Sequence, residues 1–468
     1  MLFSSMTFLF VFLPILMTIY FFAKKEIRNY ILLIASIIFY AFADLRYLAI
    51  MIATIAINYW GALLLNKCKK ESSRRLVLGL SIVADLSFLF YFKYFNFFIR
   101  NFGSLFAADL TLIDVIMPIG ISFYTFQAMS YLIDVYRREV PAQKDVYKLA
   151  LYIVLFPQLV AGPIVKYHDV CDQIDVRDEN FAKVVLGLKR FIIGLAKKVL
   201  IANTLAVVVD KIFAQSVDQV SWGISWIGSI SYCLQLYFDF SGYSDMAIGL
   251  GMIFGFKFME NFNYPYISKS ITEFWRRWHI SLATWFKQYL YFPLGGSRVS
   301  TGRMYFNLFF IFLVTGFWHG ADWTFIMWGV WNGVFIVFER FIGWNKETFD
   351  KWYIWLGKHI YAFFAIVLGM TIFRSPDLQY AYEFILRLLH ISVVDHLPRY
   401  DYGMNNRFLI ALIAGAVLAM PFFRNILSVG YERKIMRSVI NIWLVILFIL
   451  SAASLAGATY NPFIYFRF

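Results

Sequence analysis

The chain has 468 residues, of which 61% are hydrophobic and only 15% charged. Soluble domains carry about 25% charged residues, so this composition excludes an ordinary water-soluble globule. The net charge is +14, yet Lys and Arg cluster in short loops between apolar runs, as in the cytoplasmic loops of membrane proteins, and no nucleic-acid partner is expected.

The first apolar run, Met6–Phe22, contains no charged residue and comes close to the roughly 20 residues that a helix needs to cross a bilayer. It lacks the basic start and small-residue cleavage site of a signal peptide, and FFAKKE follows it, so it reads as a membrane helix. Tyr47–Leu65 is a second uncharged run. Further apolar segments begin near Leu76, Ile113, Val146, Phe181, Gly223, Met304, Trp323, Lys358, Phe408 and Ile440. The pattern predicts an all-α polytopic membrane protein in contact with the lipid bilayer, with about eleven to thirteen transmembrane or re-entrant helices. Three scattered cysteines, Cys68, Cys171 and Cys233, have no CxxC spacing and indicate neither a disulfide framework nor a zinc site.

Loop charges orient the chain. Lys24, Lys25 and Arg28 follow the first span, and NKCKKESSRR (Asn66–Arg75) follows the third, whereas the loop between them holds only Asp44 and Arg46. YRREVPAQKD (Tyr136–Asp145) and the stretch holding Arg424, Arg433, Lys434 and Arg437 read as further cytoplasmic loops. Both termini are therefore expected on the extracytoplasmic side.

The middle of the chain is more polar. YPYISKSITEFWRRWHISLATWFKQYLYFPLGG (Tyr264–Gly296) is too charged for a simple span. On a helix, Trp275, His279, Leu282 and Phe286 share one face, and Glu273, Arg276, Arg277, Thr284 and Lys287 fall largely on the other. The segment suits an interfacial or re-entrant element packed within protein. Asp239 and Asp245 in QLYFDFSGYSD point to a polar interior, and together with Asp322 are expected to orient helices. Among six histidines, His319 stands out because it lies deep in the apolar stretch LFFIFLVTGFWHGADWTFIMWGVWNG, where an ionisable group is costly and often functional. On this pattern alone, a satisfied core histidine is the other reading of His319, and packing alone accounts for His279 equally well. No Cys, Asp or Glu lies at ligand spacing from the two histidines, so no metal is expected.

FWRRWHISLATWFKQYLYFPLGG followed by VTGFWHGADWTFIMWGVWNG resembles the signature pair of the membrane-bound O-acyltransferases. The resemblance is to their bacterial branch, typified by the membrane proteins of alginate O-acetylation and teichoic-acid D-alanylation. It extends through PIGISFYTFQAMSYLIDVYR (Pro118–Arg137), LFPQLVAGPI (Leu155–Ile164) and YFDFSGYSDMAIG (Tyr237–Gly249). The resemblance implies one membrane-embedded domain over residues 1–468, with the signatures in 118–343, and a ring of helices around a central funnel and a cofactor tunnel. It implies transfer of an acyl group, acetyl in the first instance, from acyl-CoA to a hydroxyl across the membrane. No permanently bound cofactor is implied. In this frame His319 is the base that activates the hydroxyl. His279 orients the donor or stabilises developing charge, and Arg276 and Arg277 are candidates for the CoA phosphates. The branch works with a separate extracytoplasmic serine-hydrolase-like partner and acylates surface polysaccharides or cell-wall polymers.

The tail, NPFIYFRF, resembles a Phe-x-Tyr-x-x-Phe motif found at the C-termini of several acyltransferases of this branch. The resemblance implies that residues 457–468 act as an acyl-carrier-like segment, with Phe463, Phe466 and Phe468 docking the tail and Tyr465 taking the acyl group. Two other classes are compatible with an all-membrane chain: a transporter or export component, and a non-catalytic scaffold of a surface-polymer complex. Neither predicts the two histidine signatures in this order.

Overall fold

The computed structural model describes residues 1–42, 45–106, 111–113, 116–160, 162–344, 351–392, 400–422 and 434–457. Among these the architecture is helical throughout, as the apolar runs predict. Among the described residues, five helices are long and apolar enough to cross a bilayer: Leu45–Lys67, Glu71–Gly103, Phe181–Phe213, Trp352–Arg374 and Ile435–Ala456. Other segments of the expected set form shorter or more polar helices. Ile121–Arg137, for instance, has 17 residues and includes Gln127, Ser130 and Asp134.

The chain divides into two compact units. The first comprises Met1–Phe191 and Tyr243–Met259. Its principal helices are α1 (Leu48–Lys67), α2 (Glu71–Leu89), α3 (Ile121–Arg137) and α4 (Tyr167–Asp175). Buried polar groups fasten them together, because each needs a partner away from water. Asn58 of α1 donates to the Asp85 carboxylate of α2 at 3.0 Å. Arg74 donates to the carbonyls of Leu65 at 2.7 Å and Tyr136 at 2.6 Å. At the end of α3, buried Asp134 meets His168 Nδ1 of α4 at 2.8 Å, and His168 Nε2 lies 3.2 Å from Asp169. Asp245, expected to orient helices, pairs with Arg190 at 2.8 Å in this unit.

The second unit comprises Ile192–Gly242 and Glu260–Phe468, and carries both signature segments. Here lie α5 (Ile271–Arg277), α6 (Ile280–Phe286), α7 (Thr301–His319), α8 (Trp323–Phe341) and α9 (Trp352–Arg374). α7 and α8 form a tight hairpin. A Cβ added at Gly316 would stand 2.4 Å from the Phe325 carbonyl oxygen, and one at Gly329 only 2.5 Å from that of Phe312. Gly329 and Gly333 make a small-x-x-x-small stripe, which lets membrane helices approach backbone to backbone. Asp322 opens α8 as its N-cap, accepting from Thr324 N–H. Asp239 is buried with Lys198 at 2.5 Å. All three aspartates expected to orient helices thus make structural contacts.

Candidate active site

The segment expected to form one continuous helical face is broken at a single residue. α5 ends at Arg277 and α6 starts at Ile280, with His279 between them at φ 44°, ψ 54°, in the left-handed region. That conformation costs a non-glycine residue roughly 1–2 kcal/mol. Its cause is Asn261. Ile280 N–H donates to the Asn261 backbone carbonyl at 3.0 Å instead of continuing the helix. The Asn261 side-chain oxygen meets Ser281 N–H at 3.2 Å, Ser281 Oγ at 2.9 Å and His279 Nδ1 at 3.1 Å. The predicted burial survives the break: Trp275, His279, Leu282 and Phe286 are buried, whereas Arg276 and Lys287 are exposed.

His279 is fully buried and His319 nearly so. The structure brings them into one aromatic cluster. Trp318 lies between them, its ring 6.3 Å from that of His279 and 5.0 Å from that of His319. Phe240 packs edge-on to His279 at 4.6 Å. Trp328 and Phe373 pack edge-on to His319 at 5.1 Å and 5.3 Å. Such a wall keeps water from the two imidazoles that it surrounds.

Two helix ends give the histidines opposite electrostatic settings. His319 is the last residue of the nineteen-residue α7. The unsatisfied carbonyls of a helix C-terminus favour a cation by roughly 0.3–1 kcal/mol. His279 stands at the other kind of helix end, immediately before the first turn of α6.

Both halves of the site hang from α8. The Trp275 indole donates to Asn332 Oδ1 at 3.0 Å. Glu339, fully buried, accepts from Ile271 N–H at 2.5 Å, Thr272 N–H at 2.9 Å, Thr272 Oγ1 at 2.6 Å and Tyr361 OH at 3.0 Å. A carboxylate with four donors satisfies the start of α5, while Ser270 caps it through Glu273 N–H. The sequence reading passed over Asn261, Asn332 and Glu339. Glu339 had a signal: it is a lone acid closing an apolar run.

The two arginines differ. Arg276 is exposed, whereas Arg277 bonds Glu273 at 2.9 Å and donates to the Asn263 carbonyl at 3.2 Å. Tyr465 and the rest of the NPFIYFRF tail lie outside the described residues. Among the described residues, Asp134, Glu139 and His168 in the first unit form a group whose ligand-type atoms lie within 4.8 Å of one another. Its histidine is engaged by Asp134 and Asp169 as a bridging ion pair.

A helical membrane protein with two buried histidines in one aromatic cluster has the makings of a membrane acyltransferase. Comparison gives the family: the chain belongs to the membrane-bound O-acyltransferases (MBOAT), whose family model matches residues 85–373. It is therefore an O-acyltransferase, which the inert-scaffold reading does not accommodate. It is 39% identical to a probable alginate O-acetylase AlgI of Pseudomonas putida over the whole of both chains. It is 35% identical to a peptidoglycan O-acetyltransferase of Helicobacter pylori, over 91% of this chain and 87% of the relative. A teichoic acid D-alanyltransferase of Bacillus subtilis is 30% identical over 51% of this chain and 62% of its own.

Proposed function

We propose that this chain takes an acetyl group from cytoplasmic acetyl-CoA and delivers it, at the aromatic cluster around the two histidines, to an extracytoplasmic polysaccharide or cell-wall polymer. The observation that carries the reading is the convergence of His279 and His319 on Trp318. A hydroxyl is a poor nucleophile and needs a base of near-neutral pKa to attack a thioester. His319, at the carbonyl end of α7, takes that proton. The new C–O bond forms as the C–S bond breaks, and the thiolate leaves with a proton. Arg276, exposed on the short helix beside the site, suits the CoA phosphates; Arg277 would have to share its guanidinium with Glu273.

Relatives named for alginate and peptidoglycan acetylation favour acetyl as the group and a surface polymer as the final acceptor. The acceptor is reached through a separate extracytoplasmic protein of the serine-hydrolase type, which takes the acyl group from Tyr465. The protein sits in the bacterial cytoplasmic membrane with both termini outside, so that the basic loop at residues 66–75 faces the acetyl-CoA pool.

His319→Ala tests the assignment. The purified variant is expected to fold, with helical content near that of the wild type, and to lose acetyl transfer by two to four orders of magnitude, as removal of a general base does, roughly. A variant that transfers acetyl at the wild-type rate would refute it.

A further inference from the structure

We infer that Arg374 is a positioning residue: through its ion pair with Asp210 it holds Phe373 against His319 and so keeps water from the base. The inference rests on the reading of His319 as the base of acetyl transfer.

Phe373 is the next-to-last residue of α9, and Ser375 and Pro376 follow Arg374. Ser375 leaves the helix at ψ 144°, because a residue before proline is pushed toward extended backbone. The last turn of a helix has carbonyls without intrahelical partners, and it frays unless something ties it down. Yet this last turn carries a ring of the wall. Phe373 is 5% exposed. Its ring lies edge-on to His319 at 5.3 Å, 4.9 Å from that of Phe325 and 5.0 Å from that of Trp328.

Side chains supply the tie. Thr371 donates to the Val367 carbonyl at 2.9 Å, which leaves its oxygen to accept from Ser229 Oγ at 3.0 Å. Arg374 makes the outermost link. It sits roughly 100° around the helix from Phe373, so it points elsewhere while Phe373 meets His319. Its guanidinium bonds Asp210 at 2.7 Å and lies 5.1 Å from the centre of the Phe213 ring. Both partners belong to another helix, Asn203–Phe213. A cation at the carbonyl end of α9 is also favoured by the helix dipole.

This pair positions more than it stabilises. The Arg374 and Asp210 side chains are 18% and 24% exposed, and a partly hydrated ion pair adds little to overall stability. Its effect is local: it fixes the last turn of α9, and with it the Phe373 ring. Once that ring swings away, water reaches His319 and competes with the acceptor hydroxyl. The water oxygen bonds to the acetyl carbon as its proton passes to the imidazole, the C–S bond breaks, and the thiolate takes up that proton. Acetic acid and free CoA result, and no acetyl group is transferred. Keeping the base dry is what favours transfer over hydrolysis.

The test treats the full chain in detergent with diethyl pyrocarbonate, which modifies accessible imidazoles, and reads residues 279 and 319 by mass spectrometry. In Arg374→Met the rate at His319 is expected to rise about tenfold, as for a modest local opening, with His279 unchanged. Unaltered reactivity at His319, or an equal rise at His279, would overturn the proposal. The same variant is expected to lower kcat for transfer about tenfold to a hundredfold, with little change in KM for acetyl-CoA, and to raise hydrolysis relative to transfer. An unchanged ratio of hydrolysis to transfer would also overturn it. Arg374→Lys keeps a cation for Asp210 and is expected to retain most of the protection; loss as large as in Arg374→Met would overturn the part given to the ion pair. Should Arg374→Met fail to fold, Asp210→Asn removes the charge at nearly constant shape, and the contrast between the two histidines is expected there; its absence would overturn the proposal. The labelling needs no substrate. Wild-type transfer by His319→Ala would therefore refute the functional reading and leave the labelling contrast standing.

Discussion

The Trp275 indole N–H donates to Asn332 Oδ1 at 3.0 Å. Through this contact the short helix that leads into His279 is fastened to the helix that follows His319. Glu339 makes a second fastening two turns further along α8, at the start of α5. The separation of the two histidines is therefore set by α8 as much as by either signature segment.

Glu339→Gln tests that fastening. The amide would turn two N–H groups into a site already filled with donors, leaving at least one of them unmet. A buried unsatisfied donor costs about 1–3 kcal/mol. The melting temperature in detergent is expected to fall, and acetyl transfer to fall with it. An unchanged melting temperature would show that the carboxylate does not secure α5.

Gly329→Leu probes the hairpin. A Cβ there stands 2.5 Å from the Phe312 carbonyl oxygen and 3.1 Å from Gly316 Cα, so α7 and α8 must part to admit it. Overpacking of this kind costs roughly 1–3 kcal/mol or more. Because His319 ends α7, the displacement is expected to depress transfer even in the fraction that folds. Activity per folded molecule, normalised by a thermal-shift assay, is the measurement.

The bridge from His168 to Asp134 and Asp169 makes part of the stability pH-dependent. Hydrogen bonding to Asp134, and then to Asp169, raises the His168 pKa from 6.5 to about 9. The folded-state value lies above the unfolded one, so the contribution is fully present below pH 6.5 and is lost as the pH rises through about 9. With partial exposure discounted, it amounts to roughly 1–3 kcal/mol. His168→Gln is expected to lower the melting temperature at pH 6 and to converge with the wild type near pH 10. Parallel curves across that range would sink the assignment.

Tyr465→Phe addresses the carrier. The substitution keeps the ring and removes only the phenolic oxygen, so a tail that serves as a membrane anchor is unaffected. Loss of polymer acetylation is expected, with mass spectrometry of the wild-type tail finding an acetylated tyrosine. Normal polymer acetylation by this variant would leave the tail as an anchor.

Much of this protein was legible in its sequence, for uneven reasons. Charge-poor apolar runs dictate helices in a bilayer almost without regard to context, so the all-α class followed from composition. His319 was visible because an imidazole in an apolar run has few bland uses. His279 was visible mainly by resemblance, since its periodicity suited packing equally well. What could not be read was the break at His279. Helical spacing assumes that the backbone bonds to itself, and here Ile280 N–H bonds to Asn261 instead. Asn261 lies in ENFNYPY, whose aromatics alternate as in a strand but whose asparagines and proline are turn formers, so the stretch reads as a loop. Its importance comes from four groups, Ile280 N–H, Ser281 N–H, Ser281 Oγ and His279 Nδ1, that reach it only after folding.

The left-handed backbone at residue 279 also channels how this position can evolve. Glycine holds φ near 44° without strain, and β-branched residues scarcely at all. A lineage that ceased to need the imidazole would drift there toward glycine, or toward asparagine, which tolerates the conformation. It would not drift toward the valine or isoleucine that a buried membrane site otherwise accepts. A histidine at such a place works against the local preference of the chain.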